Sequence, residues 1–167
     1  MPYLSKNLFV ALAAFVALTF SAAGVASAFT ALSVRSWYPR LRKPPGNPPA
    51  WLFAPVWAVL YMVMIVAAWN VWKMGNGWSG ATTAITLFLV QLALNAAWPA
   101  IFFGMRSPSL ALAEIVLLWT VILATVVSFW RILPFSGEVL IPYLAWVTYA
   151  TYLNAGIWRL NRKRSAS

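Results

Sequence analysis

The chain contains no cysteine and no histidine, and its only carboxylates are Glu114 and Glu138. Without cysteine there is no disulfide, no thiolate nucleophile and no Cys-ligated metal or cluster. Without histidine the commonest general base, metal ligand and haem axial ligand are missing. Two carboxylates 24 residues apart offer no obvious acid–base dyad and no oxygen-ligated metal site. No ordinary acid–base or nucleophile constellation can be assembled from what remains, so no catalytic residue and no metal ligand is assigned.

Hydrophobic residues instead make up 63% of the 167-residue chain, and charged residues only 8%. That is outside the composition of soluble globular domains and places residues 1–167 in the membrane class, as a single domain. The net charge of +10 is of a size that nucleic-acid-binding proteins carry. Its distribution argues against such a partner, because the basic residues lie in loops and tails between apolar runs.

Apolar segments of about 20 residues, enough to cross a hydrocarbon core of about 30 Å as helices, run approximately over 8–32, 50–72, 81–103, 109–130 and 137–158. The fold expected is an all-α bundle of five transmembrane helices. Three of the connections are short, which predicts antiparallel neighbours. The first loop, 34–49, is rich in Pro and charge, and its prolines predict an ordered, extended segment. Lys6, Lys73 and Arg131 fall on one side of the membrane. Arg35, Arg40, Arg42, Lys43, Arg106, Arg159, Arg162, Lys163 and Arg164 fall on the other. The positive-inside rule then puts the N-terminus outside and the first loop and C-terminus in the cytoplasm, in a bacterial cell membrane. Lys6, the apolar run and Ala26-Ser27-Ala28 mimic a secretory signal; the length of the uncharged run favours a retained span instead.

Eleven tryptophans are present. Trp37, Trp51, Trp69, Trp72, Trp78, Trp130 and Trp158 lie near predicted helix ends, where an interfacial aromatic belt accounts for them. Trp57, Trp98, Trp119 and Trp146 lie inside the spans. At 1.5 Å per residue, Trp57 is roughly 10 Å in from the first-loop end of its helix, Trp98 roughly 9 Å, and Glu114 and Asn154 roughly 8 Å. Gln91, Asn95, Trp98 and Phe102 share one helix face, and Trp146, Ala150, Leu153 and Ile157 another. Glu114 is expected to face inward, toward Asn95 or an indole N–H. Pro55, Pro99 and Pro142 are expected to kink their helices and open a pocket between them.

These residues resemble the translocator protein family, also called the tryptophan-rich sensory proteins. The match is carried by WYPRLRKPPGNPPAWLFAPVWAVLY (37–61), QLALNAAWPAIFFGMR (91–106) and PYLAWVTYATYLNAGIWRLN (142–161). The resemblance implies a five-helix membrane protein, usually a homodimer, whose cavity opens toward the first loop and takes porphyrins and related tetrapyrroles. Carried over by motif, the ligand-binding residues are Tyr38, Trp51, Phe53, Ala54, Trp57, Asn95, Trp98, Ala113, Leu117, Trp146, Ala150 and Leu153. Pro45-Gly46-Asn47 replaces the aromatic and polar residues that members often carry there, which implies weaker contacts from lid to ligand. Leu110 stands where animal members have an aromatic residue. The sterol-recognition pattern is not met, with Tyr152 seven residues before Arg159 and Ala155 near the motif tyrosine.

A tetrapyrrole is therefore expected rather than a sterol, metal-free because haem would need an axial Tyr or Met. It would be a ligand, with no obligatory cofactor. The leading function is a tetrapyrrole-binding sensor or transporter. The rivals are light-dependent porphyrin breakdown by tryptophans, and a structural or partner-binding membrane protein. Gly24 with Ala28, and Ala93 with Ala97, are small-residue pairs that let helices approach closely and suit a homodimer.

Overall fold

A computed structural model describes residues 2–74 and 79–162 of the chain. Trp78, Lys163, Arg164 and the side chain of Lys6, all used above, lie outside the described residues. The helices are α1 (Pro2–Ser33), α2 (Ala50–Met74), α3 (Ser79–Pro99), α4 (Pro108–Ile132), the short α5 (Pro134–Glu138) and α6 (Ile141–Asn161). Among the described residues there is no strand. This is the expected outcome where no water can satisfy a backbone amide in the hydrocarbon core. Among the described residues, four helical stretches, beginning at residues 8, 50, 80 and 108, are long and apolar enough to cross a membrane. The fifth long helix, α6, has 21 residues, about 31 Å of helix, but is more polar.

Local chemistry sets the helix ends. Ser107 caps α4 by accepting from the Leu110 N–H at 3.5 Å, and Pro108 fills the first turn, where its missing N–H costs nothing. Leu133 precedes a proline and is extended, with φ −147° and ψ 106°, which ends α4. The fifth long helix thus begins at Ile141, and Gly137, its expected start, belongs to α5. Pro142 lies in the first turn of α6 and so does not interrupt it. Pro55 sits inside α2, and Pro99 closes α3 just before a π-helical turn, Ala100–Gly104.

The packing order departs from the chain order. α3 packs mainly on α4 and α1 and only lightly on α2; α4 packs on α6, and α5 bridges α4 and α2. The expectation that consecutive helices are neighbours is thus weakest for α2 and α3. Fully buried Ala67, Ala68 and Ala84 permit close helix approach. Phe88 fills the space beside them, edge-on to Phe15 at 5.8 Å and stacked on Phe129 at 6.1 Å. At the loop end, buried Ser33 donates to the Phe103 carbonyl at 2.7 Å and accepts from Arg106 Nε at 3.3 Å. These bonds join the end of α1 to the π turn.

Candidate ligand-binding site

On α2, Phe53, Trp57 and Tyr61 recur every four residues and therefore line one face. Trp57 lies 5.4 Å from Tyr61 and 6.4 Å from Tyr143 of α6, between ring centroids. One turn nearer the first loop, Phe53 meets Trp146 edge-on at 5.9 Å. α2 and α6 approach each other through these rings rather than through extended backbone packing. The result is an aromatic seam between two helices, with Ala150 and Leu153 following Trp146 along α6.

Beside the seam, a buried hydrogen-bond chain joins three helices. The Tyr61 hydroxyl donates to Asn95 Oδ1 at 3.1 Å, and Asn95 Nδ2 donates to the Tyr143 hydroxyl at 2.8 Å. Tyr143 in turn donates to Gln91 Oε1 at 2.8 Å. All four side chains are buried. Asn95 thus uses its carbonyl and one of its two amide N–H groups inside the protein. Trp98 does likewise: its Nε1 donates to Asn154 Oδ1 at 3.1 Å, and Asn154 Nδ2 donates to the Pro108 carbonyl at 2.7 Å. Its ring stacks on Phe102 at 4.8 Å. The indole N–H groups of Trp57 and Trp146 have no hydrogen-bond partner among the described residues.

The Glu114 carboxylate oxygens are buried and have no hydrogen-bond partner among the described residues. The inward direction matches the expectation, but its expected partners do not. Asn95 is taken by Tyr61 and Tyr143, Trp98 by Asn154, and the Trp119 N–H by Thr148 Oγ1 at 2.7 Å.

Above this layer, Tyr38 of the first loop lies 5.7 Å from Phe103 and 6.3 Å from Phe102, and Trp37 lies 5.6 Å from Phe102. The Tyr38 hydroxyl donates to Asn47 Oδ1 at 2.9 Å, and Lys43 Nζ sits 4.7 Å from its ring centroid. Burial holds the Tyr38 phenol above the ordinary tyrosine value, with the Asn47 bond pulling the other way.

The remaining candidates are dispersed. Trp51 is 71% exposed and Ala54 is exposed. Ala113 and Leu117, the latter 53% exposed, share an exposed face of α4 with Val116 and Thr120. An open apolar groove of about 390 Å³ lies elsewhere, along Ala58, Val59, Met62, Val63 and Val66 of α2 and Val139. It contains none of the candidate residues.

The sequence profile of the TspO/MBR family matches residues 11–159. The chain is 44% identical over 137 residues to the tryptophan-rich protein TspO of Chlorobaculum tepidum, covering 81% of this chain and 85% of that one. It is 41% identical over 126 residues to the human translocator protein, covering 75% of each. It is 38% identical over 149 residues to the tryptophan-rich sensory protein of Cereibacter sphaeroides, covering 88% of this chain and 92% of that one. The chain belongs to the TspO/MBR family. It is a multi-pass integral membrane protein.

Within this TspO/MBR chain, sequence reasoning passed over Tyr61 and Tyr143. Both signals were available: Tyr61 lies four residues after Trp57, and Tyr143 lies one turn before Trp146 on the same stripe. Tyr149, Tyr152 and Gly156 were likewise not assigned to the site, although they continue that stripe toward the first loop.

Proposed function

We propose that this TspO/MBR protein binds a metal-free tetrapyrrole at the α2–α6 seam and acts as a sensor or transporter for it. The observation that carries this reading is the pair Trp57 and Trp146, half-buried on facing helices, whose N–H groups have no partner among the described residues. Flat aromatic macrocycles stack on such rings, and free indole N–H groups suit their polar edges. The names of two relatives, a tryptophan-rich sensory protein and a translocator protein, support a sensing or transport role over catalysis. Phe53, Ala150 and Leu153 line the same seam, whereas the exposed Trp51, Ala54, Ala113 and Leu117 join the proposed site when the seam widens to admit the ligand.

The first loop and the far end of α6 lie together, since the Arg42 N–H donates to Asn161 Oδ1 at 3.1 Å. Their shared excess of Arg and Lys supports a cytoplasmic location for this end, and an outside N-terminus, in a bacterial cell membrane. The exposed pair Gly24 and Ala28 on α1 supports a homodimer through close helix approach.

The test is titration of purified protein with protoporphyrin in mild detergent, following both tryptophan emission and the porphyrin absorption band. Each indole N–H donated to the ligand contributes about 0.5–1.5 kcal/mol, so Trp57→Phe/Trp146→Phe, which keeps both aromatic rings but removes both donors, should weaken binding by about tenfold. An affinity equal to wild type would remove the seam as the site.

A further inference from the structure

The first loop is seated on α6 by contacts that involve no ligand. Besides the Arg42–Asn161 bond above, Asn161 Nδ2 donates back to the Arg42 carbonyl at 2.9 Å. The Tyr149 hydroxyl donates to the Gly46 carbonyl, and the Tyr152 hydroxyl to the Pro45 carbonyl at 3.2 Å. Between these anchor points buried Pro44 rests on Gly156. A Cβ at residue 156 would lie 2.6 Å from Pro44 Cγ and 2.7 Å from its Cβ. Gly46 makes the turn with φ +84°, a region that side-chain-bearing residues rarely adopt. The segment Pro45-Gly46-Asn47, which lacks the side chains expected to touch a ligand, is therefore held by the protein itself.

These anchors continue the stripe that carries Trp146. The Tyr149 ring lies 5.9 Å from Trp146 and is stacked with Tyr152 at 6.3 Å. A loop that moves must release the tyrosines that pack beside the seam. Tyr152 is 49% exposed, and the Arg42–Asn161 pair is exposed too. Each bond competes with water and is individually weak, so the loop can open without unfolding the bundle.

We propose that Tyr149, Tyr152, Gly156 and Asn161 form a latch that holds the first loop shut and sets the rate at which ligand enters and leaves the α2–α6 seam. They are positioning residues for the loop. The gating part rests on the reading of that seam as the ligand site; the latch itself does not.

Two variants and two readouts separate these parts. Tyr149→Phe/Tyr152→Phe removes two hydrogen bonds and keeps both rings. Gly156→Ala wedges Pro44 off α6 while adding a better helix former, so α6 should remain folded by circular dichroism. The first readout is trypsin cleavage of the folded protein in detergent after Arg42, whose carbonyl must leave Asn161 before it can be cut. The second is the protoporphyrin dissociation rate. Two weak bonds lost predict about tenfold faster cleavage and about tenfold faster release in Tyr149→Phe/Tyr152→Phe, with changes in the same direction for Gly156→Ala. Unchanged cleavage in both variants overturns the latch. Faster cleavage with unchanged release overturns the gating. Failure of the wild type to bind protoporphyrin overturns the seam as a porphyrin site, and cleavage still decides the latch.

Discussion

The buried chain Tyr61–Asn95–Tyr143–Gln91 makes a quantitative prediction, because its members carry unequal loads. Tyr143→Phe removes a hydroxyl that both accepts from Asn95 and donates to Gln91, each at 2.8 Å. Tyr61→Phe removes a single donor, bonded to Asn95 at 3.1 Å. Side-chain hydrogen bonds inside membrane proteins average about 0.6 kcal/mol and reach about 1.7, and a buried polar group left without a partner costs about 1–3 kcal/mol. Neither substitution leaves a large cavity. Tyr143→Phe should therefore destabilise by about 2 kcal/mol and Tyr61→Phe by about 0.5–1 kcal/mol. Equilibrium unfolding by SDS in mixed micelles, followed by circular dichroism, measures both. A double-mutant cycle sharpens the result. In an Asn95→Leu background Tyr61→Phe should become nearly neutral, whereas Tyr143→Phe should keep the part due to Gln91. Equal costs for the two tyrosines, or an undiminished Tyr61→Phe effect without Asn95, would refute the shared network.

Burial raises the Tyr38 phenol, so its native state retains the proton above the pH at which an unfolded tyrosine loses it. Its contribution to stability is present below about pH 10 and is lost as pH rises through the folded value. Absorbance at 295 nm for wild type minus Tyr38→Phe should show ionisation later than free tyrosine; coincidence with free tyrosine would contradict the burial. Ser107→Ala should cost about 0.5 kcal/mol, the low end for an N-cap, because the capping bond is long at 3.5 Å; the same SDS titration reads it. Trp119→Phe loses the 2.7 Å bond to Thr148 and should destabilise the α4–α6 contact by about 1 kcal/mol. Porphyrin affinity should not change in that variant, and a loss of affinity would place Trp119 in the site.

Composition and run length were enough to read long helices from this chain, because lipid leaves the backbone few other options. The boundaries that slipped were those decided by single residues. Pro134 forces Leu133 to be extended, which ends α4 and divides the stretch before α6 into the short α5 and a turn. Pro142, read as a kink, is harmless because that division leaves it in a first turn. Lateral order was harder to read. Nothing in the length of a connection says that α3 settles between α1 and α4 with only light contact to α2.

That order explains why the tryptophans could be placed in depth but not in role. Trp57, Trp98 and Trp146 are at similar levels, and each offers one N–H. What separates them is whether a neighbouring helix brings an acceptor to that N–H, which depends on rotation and lateral order. Asn154 of α6 reaches Trp98, Thr148 reaches Trp119, and the Leu8 carbonyl reaches Trp69 at 3.4 Å. Those three indoles hold helices to one another. Trp57 and Trp146 lie a turn apart along the seam, against Tyr143 and Phe53 respectively, and no described residue brings an acceptor to either N–H. The same logic applies to Asn95, a polar residue at pocket depth whose carbonyl and one amide N–H are engaged by Tyr61 and Tyr143. Loss of ligand on Asn95 substitution would therefore arise through displaced tyrosines, and Tyr143→Phe should reproduce it.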